Sequence, residues 1–244
     1  MSAVPQSPLL VVVPAWNEQE SLPAVLAELD VALPEADVLV VNDGSTDGTA
    51  DVVRASRRAM LLDLPINLGV GGAMRAGYRF AHRHGYQRAI QVDADGQHDP
   101  TEVRRVVAAL DGADVVVGAR FADRGDYAVR GPRRWAMRVL SAVLSRIAHT
   151  RLTDTTSGFR ASGPRAIALF AADYPAEYLG DTVESLVIAC RAGLTVRQVG
   201  VSMRPRAGGT PSHSPFKAAA FLGRAMLALT IALTRPMSRP VVEP

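Results

Sequence analysis

The sequence is short of the residues that staple, span or wrap. A single cysteine, Cys190, excludes an internal disulfide and suits a reducing compartment. Aromatic residues make up only 5%. No basic patch is interleaved with them and no Cys/His spacing suits zinc, which argues against nucleic acid as a partner. No apolar stretch reaches the roughly 20 residues needed to cross a bilayer. The N-terminus has no basic lead-in, and its apolar run Leu9 to Val13 is too short for a signal peptide. A soluble or peripheral protein is expected. Charge of either sign is modest: the net charge is +3 and the pI is near 9.4. That balance suits anionic substrates or an anionic membrane surface. What remains is ample for a core, with 244 residues, 48% of them hydrophobic and 21% charged. One α/β domain fits that length, with room for a small appendage.

The most informative stretch runs from Ile90 to Pro100. The apolar run Ala89 to Val92 delivers Asp93 and Asp95 and then stops at Gly96 and Pro100. Alternation along an extended segment sends the two carboxylates to one side. In a parallel sheet the loop beyond a strand's C-terminal end lies at the ligand crevice. Two carboxylates held there repel unless a cation lies between them, and Mg²⁺ or Mn²⁺ prefers such oxygen ligands and bridges phosphates. Gln97 can add an amide oxygen and His98 a nitrogen. Alone, the stretch reads more simply as an Asx-rich turn capping a helix that starts at Asp99-Pro100. Its neighbours tip the reading to the metal.

Leu9 to Val13 and Val38 to Val41 are uninterrupted apolar runs, as expected of strands buried on both faces. Between them Ser21 to Leu33 has a helical stripe of Leu22, Val25, Leu26 and Leu29. The second run closes on Asn42-Asp43-Gly44-Ser45-Thr46-Asp47-Gly48-Thr49, before a helix over Ala50 to Arg58. Met60 to Leu64 is a weaker strand. Asn67-Leu68-Gly69-Val70-Gly71-Gly72-Ala73 leads into a helix reaching about His84. Its spacing fails the dinucleotide fingerprint, and a tight turn letting backbone approach phosphate or ribose remains. Thr101 to Leu110 reads as a helix and Asp114 to Val117 as a strand ending at Gly118-Ala119-Arg120. Strand, loop and helix repeat with short connections, which predicts a parallel sheet with helices on both faces.

Beyond Asp123 the pattern changes. Arg124, Arg130, Arg133, Arg134, Arg138, Arg146 and Arg151 crowd a segment whose helix, about Pro132 to Ala148, carries Trp135, Val139, Leu140, Val143, Leu144 and Ile147 as a stripe. A core helix accounts for the stripe; the arginine density equally suits a helix lying in a membrane interface. Asp154 to Ala161 is polar and contains glycine. Asp181 and Glu184 share one face of a helix over Gly180 to Ala192, where solvated surface charge is the simpler reading. Thr195 to Val201 is a short strand. Arg204 and Arg206 follow in a Gly/Pro loop, where arginine forks suit a pyrophosphate. The chain closes on an amphipathic helix, about Pro215 to Thr234, suited to lipid or to a partner.

Taken together, these residues resemble glycosyltransferase family 2, and within it the dolichol-phosphate mannose synthase-like polyprenyl-phosphate glycosyltransferases. The segments that carry the resemblance are Val13 to Glu18, Val41 to Thr49, Asn67-Leu68-Gly69, Asp93 to His98 and Thr156-Ser157-Gly158-Phe159-Arg160. It implies a GT-A (Rossmann-like), mostly parallel sheet flanked by helices. Residues 1–212 would form the glycosyltransferase domain, 123–153 its acceptor- and membrane-facing part, and 213–244 the C-terminal helix and tail. Pro14, Trp16, Glu18 and Asp43 would hold base and ribose, with Asn67, Gly69, Asp93 and Arg206 completing the nucleotide-sugar site. Asp93, Asp95 and Gln97 would bind Mg²⁺ or Mn²⁺, and Arg120, Arg133 and Arg134 the acceptor phosphate. The sequence departs from the family's pattern at Trp16, often Tyr in the family, and in the Arg204 to Ser212 loop, which lacks the usual Ser-Lys ending. The C-terminal transmembrane helices of many relatives are also not found.

The expected reaction is metal-dependent, inverting hexose transfer from a nucleoside diphosphate to a polyprenyl monophosphate, on the cytoplasmic face of the cell membrane. A small membrane protein partner and a homo-oligomer are compatible with it. A soluble alcohol acceptor would instead need a base, and Asp154, Asp181 and Glu184 are the candidates. A third reading is a non-catalytic nucleotide-sugar-binding scaffold, against which the intact Asp-Ala-Asp stretch argues.

Overall fold

A computed structural model describes residues 7–120, 132–175 and 181–204; the side chains of 132–139 and 181 are outside the described set. The chain alternates strand and helix: β1 Leu9–Ala15, α1 Leu22–Ala32, β2 Asp37–Asp43, α2 Thr49–Ala55, β3 Ala59–Leu64, α3 Gly69–Arg83 and β4 Arg88–Gln91. There follow α4 Val103–Ala108, β5 Val115–Ala119, α5 Pro132–Ile147, β6 Arg160–Ser162, α6 Pro164–Ala172, α7 Asp181–Arg191 and β7 Val196–Gly200. The strands make a seven-stranded sheet in the order β3-β2-β1-β4-β6-β5-β7.

The apolar runs are continuous because both faces of the sheet are covered. Leu10 and Val12 of β1 join Leu39 and Val41 of β2 in a layer with Met74, Leu140, Phe170 and Leu186 from α3, α5, α6 and α7. Leu9, Val11 and Val13 alternate into the opposite layer, with Val38, Val40, Leu26, Val53 and Val106. Each such side chain, fully buried, contributes about 1.5–3 kcal/mol. α3 lies close on β1: a Cβ at Gly77 would stand 2.5 Å from Val12 Cγ1.

The structure is GT-A-like and mostly parallel, with one departure from the all-parallel pattern of the first half. β6 runs antiparallel to both β4 and β5, pairing Ala161 with Ile90 and with Val116. Because β6 runs backwards, the residues that precede it, Asp154 to Phe159, lie at the same rim as the C-terminal ends of β4 and β5. Three local expectations are corrected. Gly69, Gly71 and Gly72 belong to the first turns of α3 and do not form a loop. The helix expected over Ala50 to Arg58 ends at Ala55, where Ser56 turns extended and the Arg58 guanidinium reaches back to the carbonyls of Leu33 and Ala36. The stretch read as one helix from Thr101 to Leu110 is α4 flanked by 3-10 turns at Pro100–Glu102 and Ala109–Gly112.

The segment from 121 to 131, Arg206 and the helix expected over 215–234 lie outside the described residues, as do the side chains of Arg133, Arg134 and Asp181. Among the described residues, no helix is long and apolar enough to cross a membrane.

Candidate active site

The loops beyond β1 and β2 are stitched to each other. Asn17, in the left-handed region at φ 56°, donates its backbone N–H to Ser45 Oγ (2.9 Å) and accepts from the Thr46 N–H through Oδ1 (2.9 Å). Glu18 N–H donates to Thr49 Oγ1 (2.9 Å), Gln19 N–H to Asp47 Oδ2 (3.2 Å), and Gly48 N–H returns a bond to Gln19 Oε1 (2.7 Å). Side chains here replace the ladder bonds that the strands no longer supply. The stitching holds Trp16 at the rim with 48% of its surface exposed, a large apolar face turned to solvent. Pro14 is in β1, opposite Val41, and the Glu18 carboxylate accepts from the Ser21 hydroxyl.

Asp43 ends β2 and is buried, and its Oδ1 accepts from the backbone N–H of Leu68 at 2.7 Å. Burial raises its pKa above the usual carboxylate range, against the lowering effect of hydrogen bonds from Leu68 and Gly69 at the start of α3. Asn67 Oδ1 accepts from Gly69 N–H (3.0 Å), so Asn67 and Gly69 meet Asp43 at the same helix start. Gly44 makes this approach possible. Its φ is +64°, and a Cβ there would stand 2.5 Å from the Ile66 carbonyl carbon.

Asp93 and Asp95 do reach the rim, but not along an extended segment. Ladder pairing stops when Val92 N–H donates to Val12 O (3.0 Å), and the chain then turns through Gly96 at φ 76°. Asp93 Oδ1 accepts from Gln91 Nε2 (2.8 Å), and Asp95 Oδ1 accepts from Gln97 N–H (3.0 Å). His98 is buried, with its ring stacked on Phe159 at 4.8 Å. Its Nδ1 accepts from Asp93 N–H (3.0 Å) and its Nε2 faces Asp93 Oδ2 at 3.5 Å. Both ring nitrogens are therefore turned on Asp93, and His98 orients that residue instead of offering a nitrogen to a metal. Gly158 brings the Thr156-to-Arg160 segment against this turn, since a Cβ there would stand 2.8 Å from Gln91 Nε2 and 3.5 Å from Asp93 Oδ2.

Beside the turn lies a second cluster, built on buried charge. Asp154 is fully buried; its Oδ2 accepts from Arg120 Nε (3.1 Å), and its Oδ1 from Thr156 N–H (3.3 Å) and hydroxyl (3.1 Å). Gln198 Oε1 accepts from the N–H groups of Thr153 (2.7 Å) and Asp154 (3.2 Å). Arg160, 4% exposed, donates to the carbonyls of Thr155, Ser157 and Thr182 and to Ser185 Oγ. It thus pins the Asp154 loop to the start of α7, the helix that carries Asp181 and the half-buried Glu184. Arg120 stands at the rim with 39% of its side chain exposed.

The structure therefore brings Pro14, Trp16, Glu18, Asp43, Asn67, Gly69, Asp93, Asp95, Gln97, Arg120 and Asp154 to the C-terminal ends of the strands. Sequence reasoning missed the holding roles of Asn17, Gln91, Gln198 and Arg160. The Asp43-to-Thr49 run hinted at the first, through its surplus of small polar side chains; the others carry no spacing signal.

Asp93, Asp95 and Gln97 fit a hard divalent ion by donor chemistry: oxygen ligands on a half-exposed turn. Among the described residues no three His, Cys, Asp or Glu side chains converge to form a protein cage. Such a site suits an ion that completes its coordination with water and substrate phosphates, as Mg²⁺ and Mn²⁺ do.

A doubly wound sheet with loops and carboxylates gathered at its C-terminal rim is the arrangement in which α/β proteins bind their ligands. The sequence match is more specific: residues 10–172 match the family model described as Glycosyl transferase family 2. The chain is 36% identical to the undecaprenyl-phosphate mannosyltransferase of Micrococcus luteus over 203 residues, covering 80% of this chain and 79% of that protein. It is also 36% identical to the polyprenol monophosphomannose synthase of Mycolicibacterium smegmatis, over 64% of this chain and 62% of that one. Among solved structures, the glucosyl-3-phosphoglycerate synthase of Mycobacterium tuberculosis, crystallised with Mn²⁺, UDP and glucosyl-3-phosphoglycerate, matches with a TM-score of 0.70 at 20% identity. That match covers 94% of this chain and 81% of that one, and it establishes the fold. The chain belongs to glycosyl transferase family 2 and is a glycosyltransferase.

Proposed function

We propose that this glycosyltransferase moves a hexose from a nucleoside diphosphate to a polyprenyl monophosphate at a membrane surface, with inversion at the anomeric carbon. The observation that carries the reading is one rim holding an acidic turn beside an arginine tethered by a buried aspartate. It occurs in a chain two of whose 36%-identical relatives are named undecaprenyl-phosphate mannosyltransferase and polyprenol monophosphomannose synthase.

Trp16 offers its exposed face for stacking on the base, and Pro14, Glu18, Asp43, Asn67 and Gly69 shape the pocket around base and ribose. Asp93, Asp95 and Gln97 would hold Mg²⁺ or Mn²⁺, and Arg206 would meet the donor phosphates. When bound, the ion supplies Lewis-acid stabilisation of the leaving diphosphate, where negative charge grows in the transition state. Arg120, with Arg133 and Arg134, takes the acceptor phosphate. Asp154 spends both oxygens on Arg120 and Thr156, which makes it an orienter of the arginine and a poor general base. A phosphate monoester needs no such base, because its second pKa is about 6 and it is already ionised at neutral pH. Asp181 and Glu184, on α7, are where an alcohol acceptor would find one. Residues 1–212 form the catalytic domain, and the amphipathic stretch 213–244 brings it to the membrane.

The test is transfer of label from a panel of radiolabelled nucleotide-sugars, with Mg²⁺ or Mn²⁺, into organic-extractable polyprenyl phosphate. Label entering the lipid phase, and lost with EDTA and in Asp95→Ala, is the expected result. Donor turnover without lipid labelling would point to a soluble acceptor and overturn the lipid reading.

A further inference from the structure

Arg204, expected with Arg206 to suit a pyrophosphate, instead spends its guanidinium on two carboxylates of the protein and is the residue through which the end of the sheet grips the acidic turn. Its backbone N–H donates to the Gln97 carbonyl (3.0 Å), next to an isolated antiparallel bridge between Met203 and His98. Its guanidinium is shared, with Nη1 2.6 Å from Glu28 Oε2 on α1 and Nη2 3.1 Å from Asp99 Oδ1 at the end of the turn. Asp99 in turn accepts from the Thr101 N–H (3.0 Å) and hydroxyl (2.7 Å), capping the 3-10 turn that follows. Ser202 N–H adds a bond to Glu102 Oε1 (3.3 Å) on the far side of that turn.

Gln97 is therefore held from both ends, its N–H by Asp95 and its carbonyl by Arg204. Stability alone does not account for the arrangement. The Arg204 and Glu28 side chains are 40% and 44% exposed, and ion pairs that open to solvent add little to global stability. A turn meant to hold a hard ion, by contrast, must keep its oxygens in place to within about half an ångström. A rigid fork tying its last residue to a neighbouring helix does that.

We propose that Arg204 is a positioning residue for the Asp93–Asp99 turn, tethering it to α1 through Glu28 so that Asp93, Asp95 and Gln97 are pre-set for a divalent ion. The inference rests on the reading of those three residues as the ion's ligands. It involves no bond making or breaking by Arg204.

Mn²⁺ itself is the probe. Free Mn²⁺ is titrated by electron paramagnetic resonance against the full chain with UDP or GDP present, so that no turnover is needed. Arg204→Ala should weaken Mn²⁺ binding several-fold, toward the roughly 10–100-fold cost of losing groups that orient metal ligands. Its melting temperature should stay within about 2 °C of the wild type, as for other exposed ion pairs. Arg204→Lys, able to serve one carboxylate at a time, should fall between, which keeps the test usable should the alanine variant fold poorly. Glu28→Gln should shift affinity the same way but less, and the double variant should bind no worse than Arg204→Ala, since both changes break one network. Unchanged Mn²⁺ affinity in Arg204→Ala would overturn the assignment. So would effects of the two changes that simply add, or a loss of affinity that tracks a large fall in melting temperature. A wild-type chain that binds no Mn²⁺ with either nucleotide would instead sink the metal reading on which the inference stands.

Discussion

The two halves of the rim are held in different ways. Where β1 and β2 end, mostly neutral side chains, Asn17, Gln19, Ser45 and Thr49, trade hydrogen bonds with backbone between two loops, joined by the Asp47 carboxylate. One buried carboxylate, Asp43, ties the end of β2 to the start of α3. Where β4, β6 and β5 meet, the holding groups are charged and buried, with Asp154 fully enclosed and Arg160 nearly so. The first half is many small bonds that hold the exposed face of Trp16 at the rim. The second concentrates its hold in a few ions, each costly to leave uncompensated. Under the proposed function, the first half would meet a base, recognised by shape, and the second a phosphate, recognised by oriented charge.

Substitutions separate the halves by size of effect. The largest belongs to the acidic turn between them: Asp95→Ala should cut initial transfer rates on the order of 10²–10³-fold, the scale of losing one electrostatic contact to a transition state. Its fold should survive, since Asp95 is only half-buried. Next is Arg160→Met, which strands the carbonyls of Thr155, Ser157 and Thr182. Urea denaturation should register a loss of about 3–5 kcal/mol, from three carbonyls left without their donor at about 1–3 kcal/mol each. Asn17→Ala, in the neutral half, should cost about 1–2 kcal/mol by the same method, from a lost acceptor for Thr46 and a strained φ. Asn17→Gly relieves the strain without restoring the acceptor and should fall in between.

The smallest effect is one of sign. Asp43 and Asp47 flank the same loop, yet their carboxyls shift in opposite directions. Burial raises Asp43. For Asp47, weak burial is outweighed by hydrogen bonds from Thr49 and the Gln19 N–H, and its pKa is lowered. A lowered carboxyl contributes stability that is present above its unfolded value of about 3.9 and is lost as pH falls through its folded pKa. A raised one does the reverse: its contribution is full below the unfolded value and is lost as pH rises through the folded one. Stability measured from neutral to acid pH should therefore fall less steeply in Asp47→Asn and more steeply in Asp43→Asn. Matching slopes in the two variants would contradict the assignment of opposite environments.

Much of this was legible in the residues, and the boundary of legibility is physical. β1, β2 and β5 announce themselves as Val/Leu runs because a sheet covered on both faces tolerates no polar interruption. The carboxylates of Asp93 and Asp95 lie at the rim, as their place after an apolar run suggests, although a turn and not an extended segment puts them there. β6 was not legible. Three residues, Arg160-Ala161-Ser162, show no period, and their antiparallel direction is set by the strands on either side. Nor did Gly69, Gly71 and Gly72 read as helix, since glycine disfavours one; close packing prevails, and at Gly72 a Cβ would stand 2.4 Å from Leu68 Cβ. Buried Arg160 was hidden for a different reason, because it donates largely to backbone carbonyls, which no side-chain motif records.

The division of the rim is tested most directly by initial rates of lipid labelling as donor and polyprenyl phosphate are varied in turn, for wild type, Asp95→Asn and Arg120→Gln. The account predicts that Arg120→Gln raises the KM for the lipid while leaving donor KM near that of the wild type. Asp95→Asn should instead lose kcat and donor affinity while lipid KM holds. If both substitutions raise the same KM, the acidic turn and the arginine serve one substrate, and the division is wrong.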